Sequence, residues 1–168
     1  MKKAIPFIFI FCLVFAYNCQ AQLKTPTNEV TLFSFQTASG KIVTINKAKD
    51  DSFLVYRFGD VKKIDFEFPQ QKDSTSFKKF TYSNWIRGSG NTKSALDLKY
   101  LTFENEGYKY IVYAIYFEED NSHSIGVRVM NLATQEITDI KGKRNTQKGS
   151  LDAFRDEDRI NQSNAAYD

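Results

Sequence analysis

Apolar and polar residues alternate with a period of two along most of this chain, and short turn segments interrupt the pattern at close intervals. Ile64, Phe66 and Phe68 alternate with Lys63, Asp65 and Glu67. Tyr108, Tyr110 and Val112 alternate with Lys109 and Ile111, and Ile125, Val127 and Val129 alternate with Gly126 and Arg128. Successive side chains of a strand point to opposite faces, so this period specifies half-buried strands. The residue types agree, since Val, Ile, Phe and Tyr suit a pleated surface. Ala38-Ser39-Gly40, Gly59-Asp60, Asn105-Glu106-Gly107, Asp120-Asn121-Ser122 and Leu132-Ala133-Thr134 separate the runs with turn residues. The spacing predicts nine strands, over 30–37, 41–46, 52–58, 61–68, 76–84, 95–104, 107–118, 123–131 and 135–141. Short connections make consecutive strands antiparallel neighbours. The expected fold is therefore all-β: a single antiparallel meander of about eight or nine strands that forms a barrel-like sheet or a sandwich. The run 108–117 is apolar on both faces, which predicts a central strand covered on both sides.

The ends read differently. Residues 22–29 form a polar tether, and 30–160 make up one β domain. Residues 141–149 are polar and read as a flexible connection. Ser150 is placed to cap a short C-terminal helix over 151–160, with Asp152 in its first turn, and 161–168 reads as a frayed tail.

Residues 1–21 have the layout of a secretory signal peptide. Lys2 and Lys3 precede an apolar run, and Cys19-Gln20-Ala21 puts small residues at the −3 and −1 positions of a cut before Gln22. The run is short for a membrane span, which takes about 20 apolar residues, and no second such segment follows. Stable membrane insertion is not expected once the leader is removed. Lipid attachment through Cys19 fits poorly, because Ala16, Tyr17 and Asn18 stand where a Leu and small residues are wanted. The expected location is the periplasm or the exterior.

Removing the leader changes the chemistry. Cys12 and Cys19 are the two cysteines and both lie within it. The remaining domain is thiol-free, which rules out disulfides, thiol catalysis and cysteine metal sites. Lys2 and Lys3 also leave, so the formal charge falls from +3 to +1. That balance offers no case for nucleic acid as a partner. The 147 residues that follow a cut after Ala21 suffice for one core that buries about 70% of the unfolded surface.

No catalytic constellation stands out. The one histidine, His123, lies between Ser122 and Ser124, but adjacent strand residues face opposite ways, so it reads as a solvated turn residue. Glu118-Glu119-Asp120 lacks the spaced acids of a calcium loop. Gly88-Ser89-Gly90 lacks the Lys and hydroxyl that close a phosphate loop. No cofactor, metal or catalytic residue is expected. Arg57 shares a strand face with Phe53 and Val55 and calls for a carboxylate such as Asp65 or Glu67 from the neighbouring strand.

The stretch 84–94 is the longest non-periodic segment of the body, with the single Trp and an Arg beside a Gly-Ser-Gly unit. Trp and Arg dominate binding hot spots, and loops on rigid β scaffolds carry recognition. Trp85, Arg87, Gly88, Gly90 and Lys93 are the candidate binding residues, with Trp85 and Ile86 as a plug of the barrel end the competing structural role.

Tyr56-Arg57-Phe58-Gly59, Glu67-Phe68-Pro69, Phe80-Thr81-Tyr82-Ser83, Arg87-Gly88 and the run from Leu101 to Tyr110 together resemble a group of small exported proteins of Gram-negative bacteria, over about residues 40–150. The leader and Gln22 resemble those of Bacteroidetes-type bacteria. The group has no assigned activity, so the resemblance implies an exported β domain and transfers no functional residue. Some members carry a cysteine pair near the ends of the β region, where this chain has Asn46 and no late Cys. The leading expectation is an exported non-enzymatic binding domain, of the inhibitor or immunity type, for an unknown protein or cell-envelope component. A carboxylate-based glycan hydrolase and a small-ligand carrier with an aromatic-lined barrel stay open as alternatives.

Overall fold

The computed structural model describes residues 23, 25–88 and 95–165. The leader therefore lies outside the described residues. The chain forms β1 (Glu29–Thr37), β2 (Ile42–Ala48), β3 (Leu54–Gly59), β4 (Ile64–Phe68), β5 (Thr81–Arg87), β6 (Leu96–Asn105), β7 (Tyr108–Phe117), β8 (Ser122–Asn131), β9 (Ile137–Gly149) and β10 (Asn161–Ser163). All belong to one curled sheet, a half-barrel, in the order β10-β5-β6-β7-β8-β9-β1-β2-β3-β4. Every pairing is antiparallel except β10 on β5.

Two meanders make this sheet, β1–β4 and β5–β9, and β9 joins them. Its first residues pair with β8 up to Lys141, and from Gly142 onward it pairs with β1. Gly142 sits where the strand changes partner: a Cβ there would lie 2.5 Å from the Phe35 ring. The expected flexible connection over 141–149 is thus part of a long strand. Its side chains are polar, yet a ladder uses backbone groups, and two neighbouring strands supplied them.

Five other expectations change. Ser74–Lys79 is a 3-10 helix and not the start of a strand, because Asp73 accepts from Thr75 N at 2.8 Å and Phe77 and Phe80, three apart, both turn inward. Residues 60–63 form a loop, since Asp60 Oδ1 accepts from the N–H groups of Lys62 and Lys63. The C-terminal helix shrinks to a 3-10 turn, Leu151–Phe154, capped by Ser150 as expected. Leu151, Phe154 and Ile160 are all buried, which draws the chain across the core and lays 161–163 beside β5 where a frayed tail was expected. At the other end the tether is anchored, with Leu23 buried and Glu29 already in β1.

Aromatic rings fill the concave side. Phe103 of β6 stacks on Phe68 of β4 at 4.4 Å and on Tyr110 of β7 at 4.7 Å, and meets Tyr56 of β3 at 5.0 Å. These contacts cross the interior and hold the curl. β7 is central, as expected: Val112 belongs to this core, while Ile111 and Tyr113 join Leu96, Leu98 and Tyr100 in a second cluster on the outer face.

Candidate functional site

The ends of β5 and β7 and the starts of β6 and β8 meet at one rim of the half-barrel. Trp85, expected in a loop, lies on β5, and register decides what surrounds it. Trp85 pairs with Leu98, and Arg87 pairs with Leu96. Leu96 in turn pairs with Phe117, and Leu98 with Ile115. All these side chains fall on the outer face, since paired residues share a face. Trp85 is 39% exposed and Phe117 is 41% exposed, above a floor of buried Leu96 and Leu98. Ile86 points to the opposite face beside Asp97 and is 54% exposed. Gly88 follows the strand end with open space around it. Gly90 and Lys93 lie outside the described residues. Phe117 was missed from sequence: it ends a periodic run, and only the register across three strands brings it near Trp85.

The inner face of the same rim is polar. Asp97, Lys99, Tyr116, His123, Arg144, Gln147 and Ser150 line an open cleft of about 230 Å³. Lys99 Nζ lies 2.7 Å from Asp97 Oδ2 and 2.7 Å from Asp152 Oδ2. Burial alone would raise the Asp152 carboxyl, but Lys99, Ser150 and Arg155 outweigh it and hold it at about 2. Such a group is an ion-pair partner and a poor general acid, because glycoside cleavage wants a raised pKa. His123 packs its ring on Tyr116 at 4.4 Å, and partial burial and then Arg144 lower its pKa, which favours the neutral imidazole. Its neighbours Ser122 and Ser124 belong to the other face, as the alternation predicts. Gln147 Nε2 donates to Gly149 O at 3.0 Å, and its Oε1 is buried with no donor among the described residues.

Arg57 is buried, at 4% exposure. Its Nε donates to Glu67 Oε2 at 2.6 Å, and its two terminal nitrogens clasp the Glu29 carboxylate from β1. Glu67 was one of the two expected partners; Glu29 was not foreseen. Asp65, the other expected partner, bonds Lys41 at 2.6 Å. This fully paired cluster is structural. Among the described residues no group of three or more His, Cys, Asp or Glu could hold a metal, and no helix is long and apolar enough to cross a membrane.

The chain matches no protein-family model, no curated protein and no solved structure.

Proposed function

We propose that this protein is an exported, non-enzymatic binding domain that engages a protein of the cell envelope through the outer face of β5–β7. One observation carries the reading: Trp85 and Phe117 stand exposed on the same face over a buried leucine floor. Aromatic side chains bury large area at small entropic cost and dominate binding energy when they sit over a dry floor. The leader-like residues 1–21 supply the export, and the envelope is where an exported domain meets its partners. The inner cleft supports binding better than catalysis, since its carboxylates already neutralise Lys99.

Affinity capture from envelope extract of the source cells tests the reading. The wild-type bait is compared with Trp85→Ala, Phe117→Ala and Arg87→Ala baits of equal fold content. A partner retained by the wild type and depleted at least about tenfold by Trp85→Ala is the expected result. Equal recovery by all four baits removes this face from the claim.

A further inference from the structure

Three strands converge on the inner cleft with side chains that the fold does not use. Tyr116 on β7 and His123 on β8 are register partners, and their rings pack at 4.4 Å. Arg144 joins them from β9. None of these three side chains has a hydrogen bond or ion pair within the described residues. Arg144 reaches the cleft because β9 is irregular there. Ser34 pairs with Lys148 and Gln36 with Lys143, so Phe35 alone faces residues 144–147. The surplus is fixed in place. Thr146 Oγ1 accepts from Gln36 N at 2.8 Å and donates to Lys143 O at 2.6 Å, and Gln147 Nε2 donates to Gly149 O at 3.0 Å. A bulge of this kind re-aims a side chain, and bulges are over-represented next to active sites.

We propose that this cleft binds a sugar acid, a single pyranose-sized molecule with one carboxylate and several hydroxyls, through Arg144, His123 and Tyr116. Charge selects the acid. Lys99 is already held by Asp97 and Asp152 at 2.7 Å each, so Arg144 is the lining cation left without a counter-charge among the described residues. One free positive charge matches a carboxylate better than a phosphate monoester, which carries about −1.5 to −2 at neutral pH. The planar guanidinium grips both oxygens of a carboxylate. Hydroxyls suit the other two groups. Partial burial and then Arg144 favour the neutral imidazole of His123, which has one donor and one acceptor nitrogen, and the Tyr116 phenol both donates and accepts. Each therefore pairs with a hydroxyl in either direction. The packed Tyr116 and His123 rings also give the C–H face of a sugar a flat apolar wall. Size sets the limit: about 230 Å³ is below the roughly 300–1,000 Å³ of drug-sized sites, which suits one sugar residue. The cleft lies on the opposite face of the sheet from Trp85, so the site stands whether or not that face binds a protein.

The test follows the imidazole C–H signals of the untagged protein by NMR. His123 is the single histidine of the sequence, so these signals report on the cleft. Glucuronate, glucose and acetate are titrated separately at constant pH and ionic strength. The expected result is saturable shifts with millimolar glucuronate, and binding at least about tenfold weaker for glucose and for acetate, each of which lacks one half of the contacts. The bound carboxylate offsets Arg144, so the titration midpoint of His123 rises with glucuronate. Arg144 is exposed, so Arg144→Gln keeps the fold; it is expected to weaken glucuronate at least about tenfold and to abolish that rise. No saturable shift at about 100 mM glucuronate overturns the proposal. Acetate binding as tightly as glucuronate overturns it in favour of an unselective anion contact. Glucose binding as tightly as glucuronate, or unchanged glucuronate affinity in Arg144→Gln, overturns it by removing the carboxylate from recognition.

Discussion

Arg57 and Lys99 are each held between two carboxylates, and their surroundings make them different devices. Arg57 lies on the outer side of β3, with its side chain 5% exposed, between Glu29 at 3% and Glu67 at 18%. Lys99 lies on the inner side of β6, at the lip of the cleft, with its side chain 16% exposed between Asp97 at 28% and Asp152 at 41%. Arg57 uses the planar fork of guanidinium to grip one carboxylate with two nitrogens and the other with a third. Lys99 is a point charge whose partners keep contact with water. Removing one member of a buried cluster strands a charge, whereas removing one member of a wet cluster lets solvent replace it. The comparison teaches that the same charge arithmetic ties the first strand to the sheet in one place and merely shapes a cleft wall in the other.

The strongest way to break this contrast is Arg57→Ala. It leaves Glu29 buried without its counter-charge, and the expected loss is about 3–5 kcal/mol in urea unfolding. Lys99→Met serves as the matched test, with an expected loss near 1 kcal/mol. Comparable losses for the two variants would mean that burial does not separate the two clusters.

Acid sharpens the contrast from the cleft side. The folded Asp152 carboxyl sits at about 2, below its ordinary 3.8. A depressed folded pKa contributes stability that is complete above the unfolded value and is lost as pH falls toward the folded one. Asp152→Asn is therefore expected to flatten the pH dependence of stability between about 4 and about 2 and to change little of it at neutral pH. An unchanged acid limb would show that Asp152 does not contribute. Added salt gives a further separation: 0.5 M NaCl screens the half-exposed Lys99 cluster more than the buried Arg57 cluster, so the double-mutant coupling of Lys99 with Asp152 is expected to shrink while that of Arg57 with Glu29 holds.

The smallest expected effect lies beside Arg57. Asn46 Nδ2 donates to Glu29 Oε2 at 3.1 Å, but Asn46 Oδ1 and Thr44 Oγ1 are buried without a partner among the described residues. Replacing Thr44 with Val removes one such atom at nearly constant shape. The expected outcome is a stability change between zero and a gain of about 1 kcal/mol. A loss of more than that would mean a water bridges the hydroxyl to the cluster.

The core meander was legible from the alternation alone. Predicted strands over 95–104, 107–118 and 123–131 correspond to Leu96–Asn105, Tyr108–Phe117 and Ser122–Asn131. Their side chains carry the two-residue period because each strand has a different environment on each face. The second half of β9 has no such period, since its residues are held by backbone ladders to β1 and leave polar side chains in water. β10 was invisible for a related reason: three polar residues become a strand only because Ile160 and Phe154 anchor the chain next to β5. At the candidate site Trp85 was legible as an unusual residue in a non-periodic stretch. Its aromatic companion Phe117 was not, being 32 positions away and joined through two registers. Arg57 announced its need for a carboxylate, and Glu67 from the next strand answered it. Glu29 reaches the same guanidinium from a strand two places away.

By itself, the sequence determined that this chain is β, where most strands turn, and that an arginine on an apolar strand face must be paired. These are local consequences of side-chain period, turn chemistry and the cost of an unpaired charge. Tertiary structure decided how β9 joins two meanders, where residues 161–163 lie, and which exposed aromatics share a face. Those outcomes depend on register and on long-range burial, and a one-residue slip of either would put the same side chains on opposite sides of the sheet.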